Sequence, residues 1–174
     1  FDPDHQQVLL EGCKPLNYDA LVVCPGLKLN WQGIEGLSET LGKNGVTSNY
    51  RYDLAPYTWQ LVSQLKRGKA VFTQPPMPIK CAGALQKAMY LSADHWLKQG
   101  VLKDIQLDFY NTGAVLFGVA AYVPALMQYV QRYQAQLHFG HQLVKVDGAQ
   151  QRAYFKVTEG EHSSIVETDF DLLH

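Results

Sequence analysis

From Lys69 onwards, runs of β-type apolar residues alternate with stretches of helical character, and this alternation constrains the fold more than any other feature. A strand at 70–74 leads to a helix over 82–99, a strand at 105–110, a second helix over 120–134 and a strand at 137–139. Strand–helix–strand order implies parallel pairing with right-handed crossovers, because a helix carries the chain back along one face of the sheet. Shorter β-type runs follow at 143–146, 153–157, 164–168 and 170–172, with a turn at Gly148. The predicted class is α/β: a Rossmann-like parallel sheet with helices on both faces, plus an antiparallel β meander.

The helices announce themselves by spacing. In the first, Asp53 is the expected N-cap and Pro56 falls in the first turn, while Gly68 follows Lys66 and Arg67 at the end. Leu54, Thr58, Leu61 and Leu65 share one face, with Val62 beside them. The helix over 82–99 places Leu85, Met89 and Trp96 on one stripe and stops at Gly100; these are core residues. In the helix over 120–134, Val123, Leu126, Met127 and Val130 face inward.

Ahead of Lys69 the pattern is looser. A short strand at 7–10 and a turn at Glu11 and Gly12 precede a continuous apolar run at 18–24, which reads as a buried strand ended by Pro25 and Gly26. Residues 27–52 read as a connection with one helical turn near 38–41. The expected division is a hairpin and strand over 1–30, a connecting loop over 31–52 and a Rossmann-like domain over 53–174.

At 47% hydrophobic over 174 residues the chain can build a real core. A net charge of −1 with both signs interspersed gives no reason to expect a nucleic-acid partner. No run of 18 apolar residues marks a spanning helix, and the first residues lack the basic start of a signal peptide. Cys13, Cys24 and Cys81 are an odd count without metal-ligand spacing, which argues against a disulfide framework. His138 and His141 form a pair without a third ligand and read as solvent-facing strand-end residues, so no metal is expected.

One cysteine stands apart. Pro75, Pro76 and Pro78 stop the strand at 70–74, and Cys81 then falls at or just before the first turn of the next helix. Free N–H groups and the positive end of the helix dipole favour a thiolate there. Lys80 is adjacent and Lys87 six positions on, both candidates to stabilise an anionic sulfur, although a surface lysine explains Lys87 equally well. The alternative for Cys81 is a small buried hydrophobe.

A dinucleotide site needs small residues in the turn after a strand, so that backbone approaches a pyrophosphate. The turn at 111–118 keeps Gly113 and Gly118 but fills the space between with Leu116 and Phe117, and no acidic residue lies in 136–140 to take a ribose. The fold is expected without its nicotinamide nucleotide, so no NAD(P) is expected.

The stretch 70–92, reading AVFTQPPMPIKCAGALQKAMYLS, resembles the active-site segment of sulfide:quinone oxidoreductases of the mitochondrial and related bacterial type. Residues 111–122 (NTGAVLFGVAAY), Ser48-Asn49-Tyr50, Thr58-Trp59 and the closing Asp171 to His174 are similar to the same family. The resemblance implies a parent flavoprotein of the pyridine nucleotide-disulfide oxidoreductase superfamily, carrying FAD and a pair of redox cysteines, of which Cys81 matches the first. Hydrosulfide would form a persulfide, two electrons would pass through FAD to a quinone, and the sulfane sulfur would leave to a small acceptor. The run at 18–24 is similar to the strand that closes the first domain in such flavoproteins, which makes Pro25 and Gly26 the expected cofactor-side residues, although only Gly26 matches squarely. No cysteine follows Cys81 here, and no FAD fingerprint glycines precede the run at 18–24. The chain therefore reads as an internal fragment, inactive alone and soluble, whose partners include the missing parts of its own chain. The parent is expected on a bacterial or mitochondrial inner membrane, attached through parts outside this segment. Two alternatives remain: a flavoprotein like NADH dehydrogenase or flavocytochrome sulfide dehydrogenase, and a nonenzymatic Rossmann-like interaction domain.

Overall fold

The computed structural model describes residues 1–160 and 162–174. Its centre is a parallel four-stranded sheet of order β5-β4-β3-β9, formed by Gln136–Phe139, Ile105–Asn111, Gly68–Gln74 and Leu172–Leu173. The registers Phe72↔Phe109 and Phe109↔Leu137 place apolar residues side by side on one face. That face packs on α2 (Ala55–Gln64), α3 (Ala84–Lys98) and α4 (Val123–Arg132), around Phe72, Met89, Trp96 and Phe109, all fully buried. The expected core residues Met89 and Trp96 are therefore core.

The opposite face is covered differently. An antiparallel meander of β6 (His141–Asp147), β7 (Arg152–Glu159) and β8 (His162–Asp169) lies over it, joined by the one-turn helix α1 (Leu37–Thr40). Val71, Tyr110, Phe155 and Leu173 form the second core there. The α/β class and the meander agree with the sequence; the expectation of helices on both faces does not extend to the three longer helices, which share one side. The reason lies in the order of elements: after β5 the chain turns through Gly140 straight into β6 and supplies no further long helix.

Element ends follow local chemistry. Asp53 is not an N-cap: it lies in a 3-10 turn before α2 and pairs with the Arg51 guanidinium. Pro56 does sit in the first turn of α2. Trp96 ties α3 to α2 by donating from Nε1 to the Val62 carbonyl at 2.8 Å. β9 is placed by long-range backbone bonds, with the amides of Asp171 and His174 donating to the carbonyls of Lys69 and Val71.

At the start of β3, Gly68 has φ +113° and the Asp171 carboxylate stands where a side chain would go, held there by the Lys69 amide at 2.7 Å. Gly68→Ala therefore meets both an unfavourable backbone region and a collision. A loss of about 1–3 kcal/mol is expected, read as a lower urea midpoint with unchanged slope.

Near the start, β1 (Gln7–Val8) and β2 (Leu16–Asn17) pair antiparallel. The expected strand at 18–24 does not form, and Val22 is 84% exposed. A buried strand needs neighbours to satisfy its backbone, and none of the described strands pairs with this run. No helix among the described residues is long and apolar enough to cross a membrane.

Candidate active site

The carboxyl end of a parallel strand is where such folds present ligands, and β3 leads there into the proline loop and Cys81. Cys81 is exposed and left-handed at φ 59°. Its carbonyl accepts from the Ala84 amide at 2.9 Å, closing a turn ahead of α3. The helix begins at Ala84, two residues later than the spacing predicts, because the left-handed residue breaks the helical path between Lys80 and Ala84. The thiol still lies within one turn of the helix start.

Tyr50 holds the loop from outside. Its hydroxyl donates to the Lys80 carbonyl, the residue before the cysteine. Burial, and secondarily the negative charge of a Cys81 thiolate, push the Tyr50 phenol above its usual range, so it stays a neutral donor. Lys80 and Lys87 are exposed, and no hydrogen bond or ion pair among the described residues joins either ammonium to Cys81. Pro25 and Gly26 are exposed too; Gly26, at φ 80°, has the backbone of a turn glycine with open space around it. Cys13 and Cys24 are also exposed, so exposure alone does not single out Cys81.

Beside the loop is a cavity of about 460 Å³, within the usual range for small-molecule sites. Leu29, Trp31 and Ile34 line it together with the proline loop, Gln74 and His174. His174 is a residue whose role sequence reasoning missed. It is 6% exposed and lies tilted against Phe72 with ring centroids 5.7 Å apart. Its Nε2 accepts from the Asn49 amide at 3.1 Å. Burial pulls its pKa down to about 4.

That shift sets a pH dependence. Unfolded, the imidazole titrates near its ordinary 6.5; folded, it stays neutral down to about 4. The unfolded state therefore binds the extra proton between those values, so stability is complete above 6.5 and falls as the pH drops. Between pH 7 and 5 the loss is about 2 kcal/mol. Urea midpoints across that range should fall accordingly, and His174→Leu should flatten the slope.

A second polar group lies under the meander. Asp108, 1% exposed, has His138 Nε2 at 3.0 Å and accepts from Gln106 Nε2 at 2.9 Å. His138 stacks on Tyr110 at 4.2 Å, with His141 edge-on to Tyr110 at 5.5 Å. The two histidines thus pack against an aromatic ring while remaining partly exposed. No group of three or more potential metal ligands occurs among the described residues.

The turn at 111–118 is filled by the chain itself. Asn111 braces it by accepting from the Gly113 amide at 2.8 Å and donating to the Val115 carbonyl at 2.9 Å. Leu116, 3% exposed, plugs into the helix-side core, and Gln86 caps its carbonyl.

The arrangement defines a class first: a Rossmann-like α/β fold with an antiparallel meander on one face. It aligns with the sulfide:quinone oxidoreductase of Aquifex aeolicus at a TM-score of 0.70 and 18% identity, over 99% of this chain and 39% of that one. At that identity the likeness establishes the fold. The sequence comparison is more particular. The chain is 38% identical over its full length to the mitochondrial sulfide:quinone oxidoreductase of Dictyostelium discoideum, and 30% identical to that of Mus musculus. The resemblance read from the sequence thus extends along the whole chain, which spans 38% of the length of each of these relatives. No family model matches the chain.

Proposed function

We propose that this chain is the cysteine-bearing segment of a flavoprotein that oxidises hydrogen sulfide and passes two electrons through FAD to a quinone. The observation that carries the reading is Cys81: an exposed thiol in a left-handed turn ahead of α3, in a segment that aligns with the curated relatives. A loop position at the carboxyl end of a parallel strand lets a small nucleophile reach the sulfur while rigid elements fix it.

The chemistry starts from Cys81 in a disulfide with a second thiol supplied from outside this segment. Hydrosulfide attacks the Cys81 sulfur, the S–S bond breaks, and the partner leaves as a thiolate, so Cys81 becomes a persulfide. The two electrons of sulfide then reside on that thiolate. A small nucleophile takes the outer sulfur from Cys81, which leaves as a thiolate; re-forming the disulfide between the two thiolates then releases two electrons, for which bound FAD would be the acceptor on the way to quinone. The cavity beside the loop is lined largely by apolar side chains, among them Leu29, Trp31 and Ile34, and is proposed to receive the flavin ring. Tyr50 keeps the loop in place through the Lys80 carbonyl, and Lys80 and Lys87 are proposed to draw anionic sulfur towards it. Pro25 and Gly26 are proposed to face the cofactor.

We place the parent at a mitochondrial membrane, in line with the names of its relatives, with attachment through parts outside this segment. Sulfide-dependent quinone reduction by the longer protein, measured without oxygen, tests the reading. Bleaching of a flavin band by sulfide, followed by recovery on adding quinone, is the expected result. A longer protein that reduces quinone with NADH and ignores sulfide would contradict it.

A further inference from the structure

Cys81 holds a left-handed backbone, φ 59°, without being the glycine or asparagine that such a position favours. A residue of this kind persists only where its surroundings keep it there. Its φ and ψ are the rotations of two rigid peptide planes about one α-carbon, so whatever fixes the planes fixes the residue. Each plane is pinned by a hydrogen bond. The plane after Cys81 is held locally, by the Ala84 amide donating to the Cys81 carbonyl at 2.9 Å. The plane before it is held from 30 positions away, where the Tyr50 hydroxyl donates to the Lys80 carbonyl.

Tyr50 can hold the loop because its own segment is anchored. Residues 45–48 are buried, and the amides of Thr47 and Leu173 donate to the carbonyls of Leu173 and Gly45, which joins the segment to β9. The Thr47 and Thr58 hydroxyls meet at 2.7 Å, which ties it to α2. The Asn49 amide donates to His174 Nε2 at 3.1 Å, and Tyr50 packs against the helix-side core. β9 in turn pairs with β3, the strand that leads into the cysteine loop. The phenol is thus fixed to the sheet that presents the loop.

We propose that Tyr50 is the positioning residue of Cys81: its hydroxyl sets the peptide plane before the cysteine and so holds the backbone from which the sulfur meets its reaction partner. The inference rests on the sulfur-transfer reading above and adds the group that orients the thiol. Displacement at a disulfide sulfur needs the incoming and leaving groups on opposite sides of the atom attacked. A rotation of the cysteine backbone therefore costs rate even when the thiol stays exposed.

The test compares Tyr50→Phe with the unaltered chain. The substitution removes one hydroxyl from a half-buried ring, and the melting temperature checks that the fold is kept. The Cα and Cβ carbon resonances of Cys81 report its backbone region. They should be those of a left-handed residue in the unaltered chain and move away from that region in Tyr50→Phe, while those of Cys13 and Cys24 stay in place. Incorporation of 3-fluorotyrosine, which keeps the shape and donates more strongly, should move the Lys80 carbonyl resonance. In the longer protein, Tyr50→Phe should lower turnover with sulfide about tenfold or more and leave the KM for quinone unchanged. Left-handed resonances that persist in folded Tyr50→Phe, a Lys80 carbonyl that ignores the fluorine, or an unaltered turnover each overturn the proposal. The resonances are read without sulfide. A longer protein inert towards sulfide counts against the flavoprotein reading, while the resonances alone decide whether Tyr50 holds Cys81.

Discussion

Cys81→Ser should abolish sulfide-dependent quinone reduction in the longer protein while leaving its fold and flavin content unchanged. A serine hydroxyl neither forms a disulfide nor carries an extra sulfur, so the loss is of the reaction itself. The expected fall is at least about a thousandfold, in line with removal of other covalent nucleophiles. The substitution is mild structurally, because Cys81 is exposed and packs in neither core. Melting temperature and the flavin-to-protein ratio separate loss of chemistry from loss of structure. Retention of more than about a tenth of the activity would remove Cys81 from the reaction.

The largest effect on stability is expected at Trp96. It is fully buried at the centre of the helix-side core, and its indole N–H ties α3 to the Val62 carbonyl on α2. Trp96→Ala opens a cavity costing about 3–5 kcal/mol. It also leaves the Val62 carbonyl unpaired, for a further loss of about 1 kcal/mol or more. Set against a domain stability of about 5–15 kcal/mol, this brings the chain close to unfolding at room temperature. Trp96→Phe keeps most of the packing and loses the hydrogen bond, so it should cost about 1–3 kcal/mol. Urea titrations of the two variants separate the packing contribution from the hydrogen bond.

Much of this architecture is legible in the residues, because it depends on local spacing. The stripe of Leu85, Met89 and Trp96 fixes α3, Pro56 and the face of Leu54, Thr58 and Val62 fix α2, and the bulk of Leu116 marks a filled turn. The run at 18–24 fails for a physical reason: apolar β-type residues make a strand only where another strand accepts their backbone, and none of the described strands does. The two buried polar centres are illegible for a related reason. Asn49 and His174 are 125 positions apart, and Asp108 and His138 are 30 apart, so each pair exists only once the sheet has formed. Within the candidate site, the cysteine and its helix start are readable from prolines and small residues. The tether from Tyr50 belongs to tertiary structure alone.

The sulfide chemistry proposed for this chain depends on Cys81 being chemically different from two other exposed thiols. The direct measurement is alkylation by iodoacetamide at neutral pH, quenched at short times and mapped by mass spectrometry at Cys13, Cys24 and Cys81. Each cysteine serves as a control for the others within one molecule, at equal reagent concentration. Modification of Cys81 at least about tenfold faster than of Cys13 or Cys24 is the predicted result, since the proposed sulfur transfer makes Cys81 the reacting and leaving thiol. Equal rates at all three positions, or Cys81 the slowest, would contradict the account.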